Sequence, residues 1–274
     1  MKNFLKILLA LVLSAAFLFA FACTKGDNGT QNSGNNQSSS SSGGQTEPQE
    51  FWDVSSVDVS HINPKARLIA FTFDDGPTAK TDALLSVFED FNAKNTDFTA
   101  HATLFTVGSF ITEENSAVLT RAVSMNFELG NHTYTHTNLT TLSTEKIIDE
   151  LKRTDEALKT FDGKAVHLVR PAGGHADNRV LSCYRSTFIN WTADLDTRDW
   201  DTATTENDVY NAVSKNLTDG GIVLMHQGYD KTVNAVKRLL PELKARGFQV
   251  VSVSELIRHY KAEALIGKLY NDFI

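Results

Sequence analysis

Seven short apolar runs alternate with stretches of helical periodicity along this chain, and that alternation leaves few architectures open. The runs are Leu68–Phe73, Thr103–Val107, Phe127–Leu129, Val166–Val169, Phe188–Ala193, Ile222–Met225 and Phe248–Val251. Between them apolar residues recur every three or four positions. Ala83, Leu84, Val87, Phe88 and Phe91 make one such stripe, and Ile147, Ile148, Leu151 and Leu158 another. Thr205 and Asp208 form a capping pattern ahead of Val209, Ala212, Val213 and Leu217. The last predicted helix runs from Val233 to Arg246, carries Val236, Leu239, Leu240 and Leu243 inward, and stops at Gly247, a residue type favoured just past a helix end. Strands that alternate with helices build parallel β/α units, either a barrel or an open sheet.

The chemically active residues fall at the ends of the runs. Leu68–Phe73 leads directly into Asp74-Asp75-Gly76-Pro77, two adjacent carboxylates followed by a turn signal. Neighbours on a strand point to opposite faces, so both acids reach one site only if the strand is ending as they emerge. Like charges this close repel, which raises one pKa unless a cation or an arginine intervenes. Asn131-His132-Thr133-Tyr134-Thr135-His136 follows the third run, and histidines four apart converge on one ion if the segment turns helically. Arg170-Pro171-Ala172-Gly173-Gly174, Asp196-Thr197-Arg198-Asp199-Trp200 and Leu224-Met225-His226 close the next three runs. Loops after the strands build the site in parallel β/α folds, so five polar clusters on one rim read as catalytic.

In this order the five clusters resemble the polysaccharide deacetylases with a NodB homology domain, carbohydrate esterase family 4, over about Leu68 to Leu256. Ala102-Thr103-Leu104-Phe105 with Val107-Gly108 is similar to that family's second-strand segment. The resemblance implies an irregular (β/α) barrel in which Asp75, His132 and His136 bind a divalent metal. Two imidazoles and a carboxylate suit zinc, the preferred ion, and also cobalt, manganese or nickel. It further implies that Asp74 is a general base paired with Arg170, and that the backbone N–H of Gly173 supports the oxyanion. His226 is then the general acid supported by Asp199, and Trp200 and Leu224 wall the acetyl pocket. The third cluster departs from the family's usual Arg-Pro-Pro-Tyr-Gly, with Ala172 and Gly173 where proline and tyrosine are common. Fit to the substrate is the property that departure leaves open.

The implied reaction removes N-acetyl groups from an N-acetylglucosamine polymer, peptidoglycan or chitin-like oligomers. An O-acetyl esterase on xylan would use the same machinery. A non-catalytic glycan-binding lipoprotein would need neither the base nor the acid. His101, His167 and His175 lie outside the clusters and read as packing or surface residues, and Trp191 reads as core.

The N-terminal region obeys different rules. Lys2 and Lys6 precede the apolar stretch Ile7 to Phe21, and Ala20-Phe21-Ala22 offers small residues before Cys23, so 1–22 reads as a secretory signal. A cysteine directly after the cleavage point resembles a bacterial lipobox. This implies lipid at Cys23 and an exported, membrane-anchored protein on the cell surface or in the periplasm. Residues 23–50 are Ser, Gly, Asn and Gln with almost no apolar side chain, a flexible linker. Residues 51–274 are expected to form one monomeric catalytic domain. Loss of Lys2 and Lys6 with the signal takes the formal charge from −7 to −9, and no basic stripe marks a nucleic-acid partner. Besides Cys23 only Cys183 remains, so a lipidated chain has no internal disulfide.

Overall fold

The segment Arg67–Gly76 is apolar on both faces, and in the structure it is the central strand, β1. The structure, a computed structural model, describes residues 49–273. Residues 1–22, read as a signal, Cys23, expected to carry lipid, and almost all of the expected 23–50 linker lie outside the described residues.

On one edge β1 pairs with β5 (Gly221–His226) through Ile69–Asp74. On the other it pairs first with β6 (Phe248–Val251) and then with β2 (Thr103–Thr106). β2 pairs with β3 (Glu128–Asn131), and every one of these ladders is parallel. Single bridges continue the circuit, from Asn131 to Val169 and from Val169 to Phe188 in β4 (Phe188–Ile189). β4 pairs with β7 (Leu269–Tyr270), a strand the periodicity does not announce. A bridge between Asp196 and Leu224 and the bond from Thr192 N–H to Ile222 O lead back to β5. The result is an irregular (β/α) barrel.

The helices are α1 (Thr81–Asn92), α2 (Ser116–Ser124), α3 (Thr144–Asp162), α4 (Asn178–Ser182), α5 (Glu206–Lys215), α6 (Asp230–Ala245) and α7 (Val253–Tyr260). Thr205 and Asp208 cap α5 reciprocally as expected, and Gly247 adopts φ 77° just past α6. α6 is not the last helix, because α7 follows with its own capping box from Ser252 and Glu255. Two stripe residues face outward, Ala83 on α1 and Ile148 on α3, while Leu85 is buried beside Leu84.

Two of the predicted strands are shorter than their apolar runs. The Val166–Val169 run forms no ladder and touches its neighbours by bridges at Val169 alone. Its His167 carbonyl is taken by Ser186 Oγ at 2.6 Å, so a side chain occupies the place of a strand partner. The Phe188–Ala193 run stops at Ile189, because the carbonyls of Ile189 and Asn190 accept from the Arg170 guanidinium at 3.1 and 2.8 Å.

Strand parity divides the core. Ile69, Phe71 and Phe73 join a cluster with Leu84 and Phe88 of α1 and with Val236, Leu239 and Leu240 of α6. Leu68 and Ala70 point the other way, to Phe105, Ile189, Ile222, Val251 and Leu256. Thr72 and Asp74 continue that second, inward row toward the strand end, where Arg170 meets both.

Candidate active site

By parity Asp74 belongs to the inward face and Asp75 to the outward one. The strand does not end between them, since β1 runs on to Gly76. A bulge resolves the conflict instead. Phe73 pairs with Leu104 but Gly76 pairs with Thr106, so three steps on β1 face two on β2. Asp75 takes a left-handed backbone, φ 64°, and its carboxylate returns to the side of Asp74. Gly76 is required next to it, because a Cβ there would stand 2.0 Å from Gln227 Oε1.

Asp75, His132 and His136 bring ligand atoms within 4.8 Å of one another. Asp75 Oδ1 is 3.4 Å from His132 Nε2 and 3.1 Å from His136 Nε2. The histidine segment is a loop, so the two imidazoles converge without the helical turn that their spacing would suit. Thr133 at φ 66° and His136 at φ 57° fold it back on itself. Left-handed conformations are costly for a β-branched residue and gather where surrounding structure enforces them. The enforcing group is Glu150 of α3, which accepts from the N–H groups of Tyr134 and Thr135 at 2.9 and 2.7 Å and from Thr135 Oγ1 at 2.9 Å. The sequence reading missed Glu150. Its signal was a charged residue at a buried position between Ile147, Leu151 and Thr154.

His132 Nδ1 lies 2.8 Å from the Arg170 carbonyl, to which it donates, so Nε2 is the ring atom that faces Asp75 and is free to ligate. Burial acts to raise the Asp75 pKa, but the neighbouring His132, with His136 and His226 behind, holds it down at about 2. Burial, then the neighbouring His132, lowers His136 and favours its neutral, ligating form. Asp75 Oδ1 is buried and has no hydrogen-bond partner. An orphaned carboxylate oxygen between two imidazole nitrogens fits a divalent cation.

Asp74 stands beside these ligands and is held differently. Arg170 Nη1 donates to Asp74 Oδ1 at 2.8 Å, while Asp74 Oδ2 lies 3.6 Å from His132 Nε2. Arg170 is fully buried, stacked over the Phe105 ring, and binds Thr72 as well as the carbonyls of Ile189 and Asn190. It therefore positions Asp74 and ties strand ends together, and does not open on the site itself.

His226, at the end of β5, borders the ligand cluster with Nε2 4.0 Å from Asp75 Oδ2. Its Nδ1 lies 2.6 Å from Asp199 Oδ1, and its backbone N–H donates to Asp199 Oδ2 at 2.8 Å. Burial works against protonation of His226, but the bond to and charge of Asp199, with Asp74 and Asp75, raise its pKa to about 9. Asp199 is itself buried and accepts from Thr232 Oγ1 of α6. Nothing in the sequence pattern pointed to Thr232.

The remaining predicted residues divide. Leu224 is buried on β5, whereas the Trp200 ring is 48% exposed and lies near the Arg198 guanidinium. Gly173 has φ 64° in a short 3₁₀ turn, and a Cβ there would sit 3.1 Å from the His175 ring. A Cβ at this position is thus disfavoured. Gly173→Ala is expected to cost about 1–2 kcal/mol, the usual cost of a left-handed non-glycine. A lower urea midpoint at unchanged m would show it, and an unchanged midpoint would mean the turn relaxes freely.

Fold and site together define a parallel β/α barrel that carries, at its strand ends, a two-histidine, one-carboxylate cation cluster flanked by a separate carboxylate and imidazole. Residues 61–189 match the family described as Polysaccharide deacetylase. The peptidoglycan-N-acetylglucosamine deacetylase of Bacillus cereus is 33% identical over 202 residues, 70% of this chain and 89% of that one. A bifunctional xylanase/deacetylase of Pseudobutyrivibrio xylanivorans is 32% identical over 192 residues, 69% of this chain but 30% of that longer protein. Among solved structures, the family 4 acetyl xylan esterase from Clostridium thermocellum in complex with a cobalt ion superposes with a TM-score of 0.67 at 25% identity, covering 75% of this chain and 98% of that one. This chain belongs to the polysaccharide deacetylase family.

Proposed function

We propose that this protein is a metal-dependent deacetylase that hydrolyses N-acetyl groups of N-acetylglucosamine-containing polysaccharide, with peptidoglycan as the favoured substrate. One arrangement carries the reading: Asp74 held by Arg170 and His226 held by Asp199 both border the Asp75, His132 and His136 ligand atoms. A binding module has no use for a base and an acid poised about one cation cluster. The Bacillus cereus relative, which spans most of its length in common with this chain, supports the peptidoglycan assignment.

Asp75, His132 and His136 would hold the ion, with zinc preferred and cobalt, manganese or nickel suited to the same donors. When bound, a divalent cation there polarises the acyl carbonyl and acidifies a water. The chain's own groups do the rest. Asp74 accepts a proton from the attacking water at Oδ2, while Arg170 keeps Oδ1 fixed. The water oxygen bonds to the acyl carbon, and the Gly173 N–H is the candidate donor to the oxygen that gains charge. His226 Nε2 then gives its proton to the sugar nitrogen as the C–N bond breaks, which leaves acetate and a free amine. Leu224 and Trp200 would bound the space for the methyl group.

A second reading, O-acetyl ester hydrolysis on xylan, draws support from the acetyl xylan esterase of like fold. Acetate release from peptidoglycan, N-acetylglucosamine oligomers and acetylated xylan, each with and without chelator, separates the two. Chelated enzyme is expected to lose turnover on every substrate and to regain it with zinc, cobalt or manganese. Full turnover after exhaustive chelation would remove the metal from the reading, and a preference for acetylated xylan would select the esterase.

The location belongs to the same proposal. A lipid at Cys23 and a flexible 23–50 tether would hold the domain near the envelope glycan it acts on. Among the described residues no helix is long and apolar enough to cross a membrane. Cys23→Ser is expected to move the protein to a soluble fraction or leave the signal uncleaved, as read by fractionation and intact mass. Unchanged processing and membrane association would refute lipid attachment.

A further inference from the structure

A second cluster of ligand atoms, built from His61, His101 and Glu255, shares no residue with the strand-end site. Its members come from three segments. His61 precedes β1, His101 lies two residues ahead of β2, and Glu255 is in the first turn of α7. The strand-end site takes Asp74, Asp75 and His226 from the C-terminal ends of β1 and β5 and His132 and His136 from the loop after β3, whereas His61 and His101 precede their strands, so the two clusters occupy different ends of the sheet.

The geometry parallels that of the first cluster. Glu255 Oε1 lies 2.6 Å from His101 Nδ1 and 3.5 Å from His61 Nε2, and the two rings stand 4.2 Å apart. Glu255 Oε2 is already used, since it accepts from the Ser252 N–H at 2.8 Å in the α7 capping box. His101 and Glu255 are buried. His61 Nε2 is buried too, and no hydrogen-bond partner meets it. The same feature marks Asp75 Oδ1 at the first site, and a buried unpaired nitrogen facing a carboxylate and a second imidazole is placed to meet a water or an ion. A cavity of about 710 Å³ lined by Asp58, His61, His101, Glu128 and Glu255 gives water and ions access.

We propose that His61, His101 and Glu255 form a second divalent-cation site, structural in role, that fastens the segment before β1 to the start of β2 and to α7. Two imidazoles and one carboxylate suit zinc, copper, nickel or cobalt over magnesium or calcium, and zinc is the probe used below. Tetrahedral bonds of about 2.0–2.2 Å place ligand atoms about 3.3–3.6 Å apart, which the His61–Glu255 distance already satisfies. The shorter His101–Glu255 contact is that of a hydrogen bond. The cation displaces its proton, and the cavity supplies water to the fourth position.

The test uses the full chain, stripped of metal, loaded with zinc chloride, desalted and assayed for bound zinc. Wild type is expected to hold one equivalent more than His61→Ala, a variant at a partly exposed position that leaves the capping box intact. Zinc is expected to raise the Tm of His132→Ala, in which only the second site remains whole, and to leave the Tm of the His61→Ala/His132→Ala double variant unmoved. Acetate release by zinc-loaded His61→Ala stays within about twofold of wild type, because the residue is remote from the base and the acid. Equal zinc content in wild type and His61→Ala overturns the proposal and leaves a metal-free His–Glu pair. So does a Tm rise in the double variant equal to that of His132→Ala. Both comparisons read the His61 increment itself, so they stand or fall independently of whether the strand-end cluster binds metal.

Discussion

Asp74→Asn is expected to lower kcat/KM by about 10²–10⁴ while the zinc content stays at the wild-type value. The substitution is chosen for what it preserves. An asparagine Oδ1 still accepts from Arg170 Nη1, so the guanidinium, fully buried and tied to Thr72, Ile189 and Asn190, keeps its partner. What disappears is the basic oxygen on the His132 side, Oδ2. Asp74→Ala would be less informative, because stranding a buried arginine costs roughly 3–5 kcal/mol and confounds chemistry with unfolding. Metal analysis of the same sample decides the assignment. Loss of zinc equal to that in His132→Ala would make Asp74 a ligand, and retained turnover would remove it from proton transfer.

Removal of the imidazole at position 226 is expected to cost a similar factor, about 10²–10⁴, and to erase the alkaline limb of the pH profile. The sign follows from the environment. Asp199 and the two neighbouring carboxylates hold His226 protonated well above the ordinary imidazole pKa of about 6.5. A general acid works while protonated, so activity persists up to the raised pKa and falls as pH rises through it. Asp199→Asn removes the charge that lies 2.6 Å from Nδ1 and should move the alkaline limb to lower pH, with activity at acid pH less affected. An alkaline limb unmoved in both variants would assign it to another group.

Much of this architecture is legible in the chain itself. The run Leu68–Phe73 marks the central strand, because a strand buried on both faces must be apolar throughout. Thr205 with Asp208 and Gly247 mark helix ends through bonds and dihedrals confined to a few neighbouring residues. The five polar clusters lie at strand ends as parallel β/α connectivity requires. The weaker strands were misjudged for a common reason. Val166–Val169 and Phe188–Ala193 are apolar enough for ladders, but Ser186 and Arg170 take their carbonyls from far along the chain.

The sequence by itself determined which residue types are present at which strand ends, because periodicity, capping and turn chemistry are local. Only the tertiary structure decided how those residues face one another. Parity sends Asp74 and Asp75 to opposite faces, and it is a bulge against β2 with a left-handed Asp75 that reunites them. Spacing suggests a helical turn between His132 and His136, yet they converge through a strained loop that Glu150 holds from another helix. Thr232 steadies Asp199, and His61, His101 and Glu255 meet from three separate segments. Such meetings depend on side chains tens to hundreds of residues apart, and no window along the chain contains both partners.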